Sequence, residues 1–192
     1  MRYRMCFLPL FAVACWLASA RAGDFVSPEG FTLAYPEKWT IASKEQFDKV
    51  VELTKKSTGS DQGMVAVIYG PQSENFTPNI TVIIPQVRYI LNPADENQMV
   101  KEIKTALTAP GGAAPVIKTV QFRIDGHTAF SLAFEQDNPA IKAILRTWMV
   151  ILPGKKGATI LRCTALKSQW GEAGPAFKSA IKGIKFDGVP TK

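Results

Sequence analysis

The sequence predicts an α+β fold in which helices pack on an antiparallel sheet of about seven strands. Three observations lead there. Strand-like runs follow one another without βαβ alternation. Two hairpin signals stand in series in the second half of the chain, Asp125-Gly126 and Pro153-Gly154-Lys155-Lys156-Gly157. Two or three stretches show apolar residues at helical spacing, with capping chemistry at their starts.

The first 22 residues read as a secretory signal. Arg2 and Arg4 precede the apolar run Met5 to Leu17, and Ala20-Arg21-Ala22 offers small residues at the two positions a signal peptidase reads. The run is too short to span a bilayer with flanks to spare. Two alternatives are an uncleaved N-terminal anchor and a lipobox, Phe11 to Cys15, in which a lipidated Cys15 would tether the protein to a membrane surface. Cleavage after Ala22 removes three arginines and no acid from a chain of net charge +7, leaving 170 residues at +4. That length suits a single domain over 23–192 with a substantial core. The mild charge speaks against a nucleic-acid binder, which needs a dense basic stripe. Lys155-Lys156 and Lys178, Lys182 and Lys185 are the local basic clusters; they read as solvated turn and helix faces or as a weak preference for anionic surfaces. Cys6 and Cys15 lie in the signal, so Cys163 alone remains and no internal disulfide can form.

In chain order, Asp24 to Glu29 is a lead-in, and Phe31 to Tyr35 alternates as a strand ending at Pro36. Trp39 and Ile41 form a short second strand. Ser43 with Gln46 makes a capping box. The helix it opens shows Phe47, Val50, Val51 and Thr54 on one side, with Lys55-Lys56 at the negative end of its dipole. Met64 to Tyr69 and Asn79 to Val87 are strands. Asn92-Pro93 opens a helix to about Leu107, and Ala109 to Pro115 is a linker.

Ile117 to Glu135 and Ala140 to Leu166 then form a four-strand meander. The turn position pairs Trp148 with Cys163 and Arg146 with Ala165. Ala129, Ser131 and Ala133 share one strand face, and their small size predicts a helix packed close. The last helix starts near Gly174, with Pro175 at its first position and a stripe of Phe177, Ala180, Ile181 and Ile184. Lys185-Phe186 returns as a short extended tail.

The search for chemistry finds no catalytic motif. His127 is the single histidine. A Ser131/His127/Asp125 set can be assembled on paper for a small hydrolase, but no nucleophile elbow is present. The plainer reading is a solvent-facing turn histidine. Asp95-Glu96 opens a helix, where acids suit the dipole. Glu135, Asp137 and Asn138 are hard oxygen donors without the ligand density of a calcium loop. Cys163 opposite Trp148 reads as a small buried hydrophobe rather than a reactive thiol. The glycines near 111 and 154 lack the strand-to-helix context of a phosphate loop. Tyr35, Trp39, Trp148 and Trp170, with Phe31, could line a groove between the sheet edge and a helix; at strand spacing such residues are more often core.

Gly30-Phe31, Leu33, Tyr35-Pro36 and Trp39 resemble the opening of PsbP-like domains. Asn79-Ile80, Val82 and Ile84 are similar to the central strand of that family, and Gly126-His127 with Ala129-Phe130 to its later strand start. Thr164-Ala165, Trp170, Phe177 and the run Ile181 to Phe186 resemble its ending. The likeness covers roughly Phe25 to Phe186. It implies the PsbP-like (Mog/PsbP-like) arrangement, an antiparallel sheet sandwiched by helices in α/β/α layers. It also implies a non-enzymatic extrinsic protein, with calcium as the one cofactor suggested; no ligand residue is carried over. The bacterial-type signal points to an exported member, periplasmic or secreted. The expectation is therefore an envelope binding or assembly module that contacts an envelope or membrane-associated protein through an exposed edge or groove, with no tight small-molecule pocket. The alternatives are a photosystem-type subunit or metal-retention factor, and a small hydrolase using His127.

Overall fold

The computed structural model describes residues 21–73, 75–85, Gln98, Lys101 and 117–189. Ten strands, two α-helices and a 3-10 turn at Lys167–Gln169 are formed among them, with Gln98 and Lys101 also helical. β1 (Arg21–Val26), β2 (Phe31–Pro36) and β10 (Lys185–Phe186) make a three-stranded sheet in the order β1-β2-β10. The other seven strands are β3 (Thr40–Ile41), β4 (Met64–Tyr69), β5 (Asn79–Ile83), β6 (Lys118–Ile124), β7 (His127–Asn138), β8 (Ala143–Pro153) and β9 (Ala158–Leu166). They form an antiparallel sheet in the order β3-β4-β5-β9-β8-β7-β6. The helices are α1 (Lys44–Thr58) and α2 (Trp170–Lys182).

The predicted meander is present, and its registers are those of its turns. Asp125 and Gly126 have φ of 48° and 83°, the two positive values that a two-residue type I′ hairpin requires. Asp and Gly tolerate that region, so the turn forms where it is written. Ile124 pairs with His127 as a result. In the next hairpin Trp148 pairs with Cys163 and Arg146 with Ala165, as the turn position predicts.

α1 begins as its capping box dictates. The Gln46 N–H donates to Ser43 Oγ at 3.3 Å, and the Ser43 N–H donates to Gln46 Oε1 at 2.9 Å. Gly59 ends it in the left-handed region. Phe47, Val50 and Val51 pack against Met64, Ile83, Phe130, Leu132 and Ile151. The opposite face of the same strands, through Ile80, Val82, Ala129, Val150, Leu161 and Cys163, meets Phe177, Ala180 and Ile181 of α2 and Phe31 and Leu33 of β2. The large sheet is thus layered between α1 on one side and α2 with the small sheet on the other. Phe31, Leu33, Phe177 and Ile181 are at most 1% exposed. Each such burial stabilises the fold by about 1.5–3 kcal/mol.

Four expectations are corrected. Asp24 to Glu29 is not merely a lead-in, because β1 runs to Val26 and pairs with β2. The strand at Phe31 and the extended Lys185-Phe186 are where the sequence puts them, but their pairing into a separate small sheet is set by partners distant in the chain. α2 starts at Trp170, not near Gly174, so Pro175 lies inside it. Proline so early removes one helical bond, and the packing of Trp170 on Phe177 at 5.4 Å outweighs that loss. Gly174 gives the indole room, since a Cβ there would stand 3.0 Å from Trp170 Nε1. His127, finally, is buried. The strand from Asn79 ends at Ile83, with Ile84 and Pro85 beyond it. The expected helix from Asn92 and the linker to Pro115 lie outside the described residues, apart from Gln98 and Lys101, which are helical.

Candidate functional site

α2 lies across the large sheet, and a cavity opens on each of its flanks. The larger, about 620 Å³, lies between α2 and the edge strand β6. Its floor is Trp148 from β8 with Val120 and Phe122 from β6, and its far wall is Ile181 with Lys178 and Lys182. Strand alternation explains the floor: Val120 pairs with Ser131 and Phe122 with Ala129, so these residues share the α2 face. The small Ala129 and Ser131 allow the helix to approach. The smaller cavity, about 420 Å³, is bounded by Trp39, Pro36, Pro71 and Pro78 on one side and by Gln169, Glu172 and Ala173 on the other. Gln169, on its lining, is fixed by three hydrogen bonds. Its Nε2 donates to Ser73 Oγ at 2.6 Å and to the Phe76 carbonyl at 3.1 Å, while its Oε1 accepts from the Leu166 N–H at 3.2 Å.

The four aromatic residues singled out as groove candidates are therefore distributed around α2. Trp148 lines the larger cavity and Trp39 the smaller. Trp39 is 4% exposed and packs edge-on to Phe177 at 5.3 Å. Trp170 is half-buried beneath the Arg146 guanidinium, 4.9 Å from its ring centre. Tyr35 packs at the border of the same core. Val120 and Phe122 were not singled out from the sequence. Their alternation with Ile124 was the available signal, but alternation alone does not say which face a helix will cover.

His127 does not meet Ser131. One ring nitrogen, Nδ1, is 3.0 Å from the Asp125 carbonyl, and the other, Nε2, is 3.0 Å from the Val189 carbonyl. Its ring stacks 4.2 Å from that of Phe186. The imidazole is thus a tie between the β6–β7 turn and the segment after β10, with both nitrogens facing backbone oxygens. Ser131 Oγ turns instead to the Val120 carbonyl at 3.5 Å. Asp125 serves the same tie. Its carboxylate accepts the Phe186 N–H at 3.0 Å and the Lys185 ammonium at 3.1 Å. The backbone bond first, then Lys185, holds the carboxyl below the ordinary carboxylate range.

Glu135, on β7, is paired at 2.8 Å with Lys167, just after β9. Among the described residues no group of three or more His, Cys, Asp or Glu side chains gathers. Cys163 is fully buried, and burial pushes its thiol well above the ordinary range. Of the lysine cluster, Lys185 is engaged by Asp125, whereas Lys178 and Lys182 stand on the rim of the larger cavity.

No protein-family model matches the chain, and no curated protein sequence matches it. Solved structures do. The chain is similar to LpqN, described as involved in cell envelope biogenesis of Mycobacterium tuberculosis, with 14% identity, a TM-score of 0.54, and coverage of 84% of this chain and 86% of that one. It is also similar to cyanobacterial PsbP (CyanoP) from Synechocystis sp. PCC 6803, with 12% identity, a TM-score of 0.56, and coverage of 93% and 99%. At such identities the likeness speaks for the fold. With the layering described above, it establishes that this chain has the PsbP-like fold.

Proposed function

We propose that the protein is an exported, non-enzymatic binding or assembly module of the cell envelope, acting through contacts with an envelope protein. The observation that carries this reading is the open groove between β6 and α2, an apolar floor with a lysine wall, where the two polar candidates on its lining, Asp125 and Ser131, are bonded to Lys185 with the Phe186 N–H and to the Val120 carbonyl. The orientation of both His127 nitrogens toward backbone carbonyls supports it, since a general base needs a nitrogen aimed at its substrate. The fold shared with LpqN, a protein of envelope biogenesis, supports the location, as does the signal-like start of the chain. No described helix is long and apolar enough to cross a membrane.

The test is a crosslinked pull-down of the exported protein from its native envelope, read by mass spectrometry. One or two reproducible envelope partners are expected. A complete absence of partners, across crosslinkers of different length, would overturn the reading.

A further inference from the structure

β6 is the last strand of the large sheet, and among the described residues nothing pairs with its outer side. Its backbone phase follows from its turn. A two-residue hairpin makes Ile124 and His127 a hydrogen-bonded pair. Counting back in twos, Phe122 and Val120 also aim their N–H and C=O at β7. The bond from Ser131 Oγ to the Val120 carbonyl agrees with this phase. Thr119, Gln121 and Arg123 therefore present theirs outward, where an added strand would complete the ladder.

The side chains beside this edge state what such a strand must carry. Val120 is 58% exposed and sits at the mouth of the groove floored by Phe122 and Trp148. Apolar residues at the centre of the incoming strand would cover it. Lys178 and Lys182 are one helical turn apart on α2, exposed, and in no ion pair among the described residues. The one carboxylate lining the groove, Asp125, is already bonded to Lys185 and Phe186. The groove is thus positively charged, and it complements acids flanking an apolar centre. A second copy of this chain is a poor occupant: β6 carries Lys118 and Arg123 and no acid, so pairing it with itself would bring cations together.

We propose that β6 and the groove beside α2 form a docking site for an extended acidic segment of a partner protein, which joins the sheet as a further strand. This rests on the binding-module reading and supplies the chemistry of its partner.

The probe is a labelled nonapeptide, Thr-Glu-Thr-Val-Thr-Val-Thr-Glu-Thr, which places Glu, Val, Val and Glu on one strand face. Its twin carries Lys for both Glu. Fluorescence anisotropy with the exported protein should show the acidic peptide binding at least about tenfold tighter than the twin. Added salt should narrow that ratio. Gln121→Pro removes one outward N–H at an edge position where proline is tolerated, and should weaken the acidic peptide by about tenfold or more. Should that variant fail to fold, the surface double variant Lys178→Glu/Lys182→Glu is expected to reverse the preference between the twins. No binding of the acidic peptide, equal binding of both, or binding unchanged in these variants would overturn the proposal. So would dodecanoate occupying the groove, read by Trp148 emission, without any peptide binding. The envelope pull-down separates the two levels: partners retained equally by wild type and Gln121→Pro refute the edge site alone, whereas no partner for wild type refutes the module.

Discussion

Oε2 of Glu29 accepts the backbone N–H of Lys156 at 2.8 Å, across 127 residues of chain. A second bond runs the same way, with the Lys155 N–H donating to the Glu29 carbonyl at 3.0 Å. Glu29 is 5% exposed, an unusual degree of burial for a carboxylate. It joins the β1–β2 turn of the small sheet to the β8–β9 turn of the large one. The Asp187 N–H donates to the Gly30 carbonyl beside it at 2.8 Å, so three chain segments are tied at one corner.

Glu29→Ala deletes that acceptor and leaves the Lys156 N–H without its partner. The expected loss is about 1–3 kcal/mol, or roughly 2–4 °C in melting temperature per kcal/mol for a chain of this size. Glu29→Gln keeps an acceptor oxygen and should lose less. Thermal unfolding by circular dichroism of the three proteins decides it; a melt for the alanine variant within a degree of wild type would show the corner to be energetically idle.

Close to this corner, Asp125 makes acid stability predictable in sign. The Phe186 N–H and the Lys185 ammonium lower its folded pKa below the ordinary value of 3.8, with His127 also beside it. A depressed carboxylate contributes stability that is fully present above its unfolded pKa and lost as pH falls through the folded one. The gap in melting temperature between wild type and Asp125→Asn should therefore be full at pH 6 and close below about pH 4. A gap that stays constant down to pH 2.5 would contradict the assignment.

Cys163 should be silent toward thiol reagents while the protein is folded. It is 0% exposed at the centre of the large sheet, and its thiolate is disfavoured by burial. Alkylation followed by peptide mass spectrometry should show modification at Cys163 only as denaturant unfolds the chain. Rapid labelling under native conditions would mean that β8 and β9 separate far more readily than their pairing suggests.

Export gives a fourth expectation. Cleavage after Ala22 would place the new N-terminus at Gly23, inside β1 and opposite Tyr35. N-terminal sequencing of protein recovered from the periplasm or medium should begin at Gly23. A start at Cys15 with the mass of an attached lipid would instead show a membrane tether, and an intact Met1 end would show neither processing.

Much of the fold was legible because it rests on local chemistry. Ser43 and Gln46 cap α1 by their own side chains, and Asp125-Gly126 tolerates the backbone of its turn. Each choice is made within a few residues, so periodicity and turn chemistry suffice. The resemblance to PsbP-like domains rested on strand residues of the same local kind, and it reached the fold that the solved structures share. What only the tertiary structure decided is where separate segments meet. Nothing near Glu29 in sequence names Lys156 as its partner, and nothing near His127 announces Val189. Trp170 extends α2 back past Pro175 because Phe177 and Arg146 are there to receive it. The groove is of the same nature. Val120, Trp148 and Lys182 come from three elements, and their apolar floor and charged wall exist only once α2 has crossed the sheet. Long-range packing sets such contacts, and its free energy is shared among residues that no short window of sequence contains.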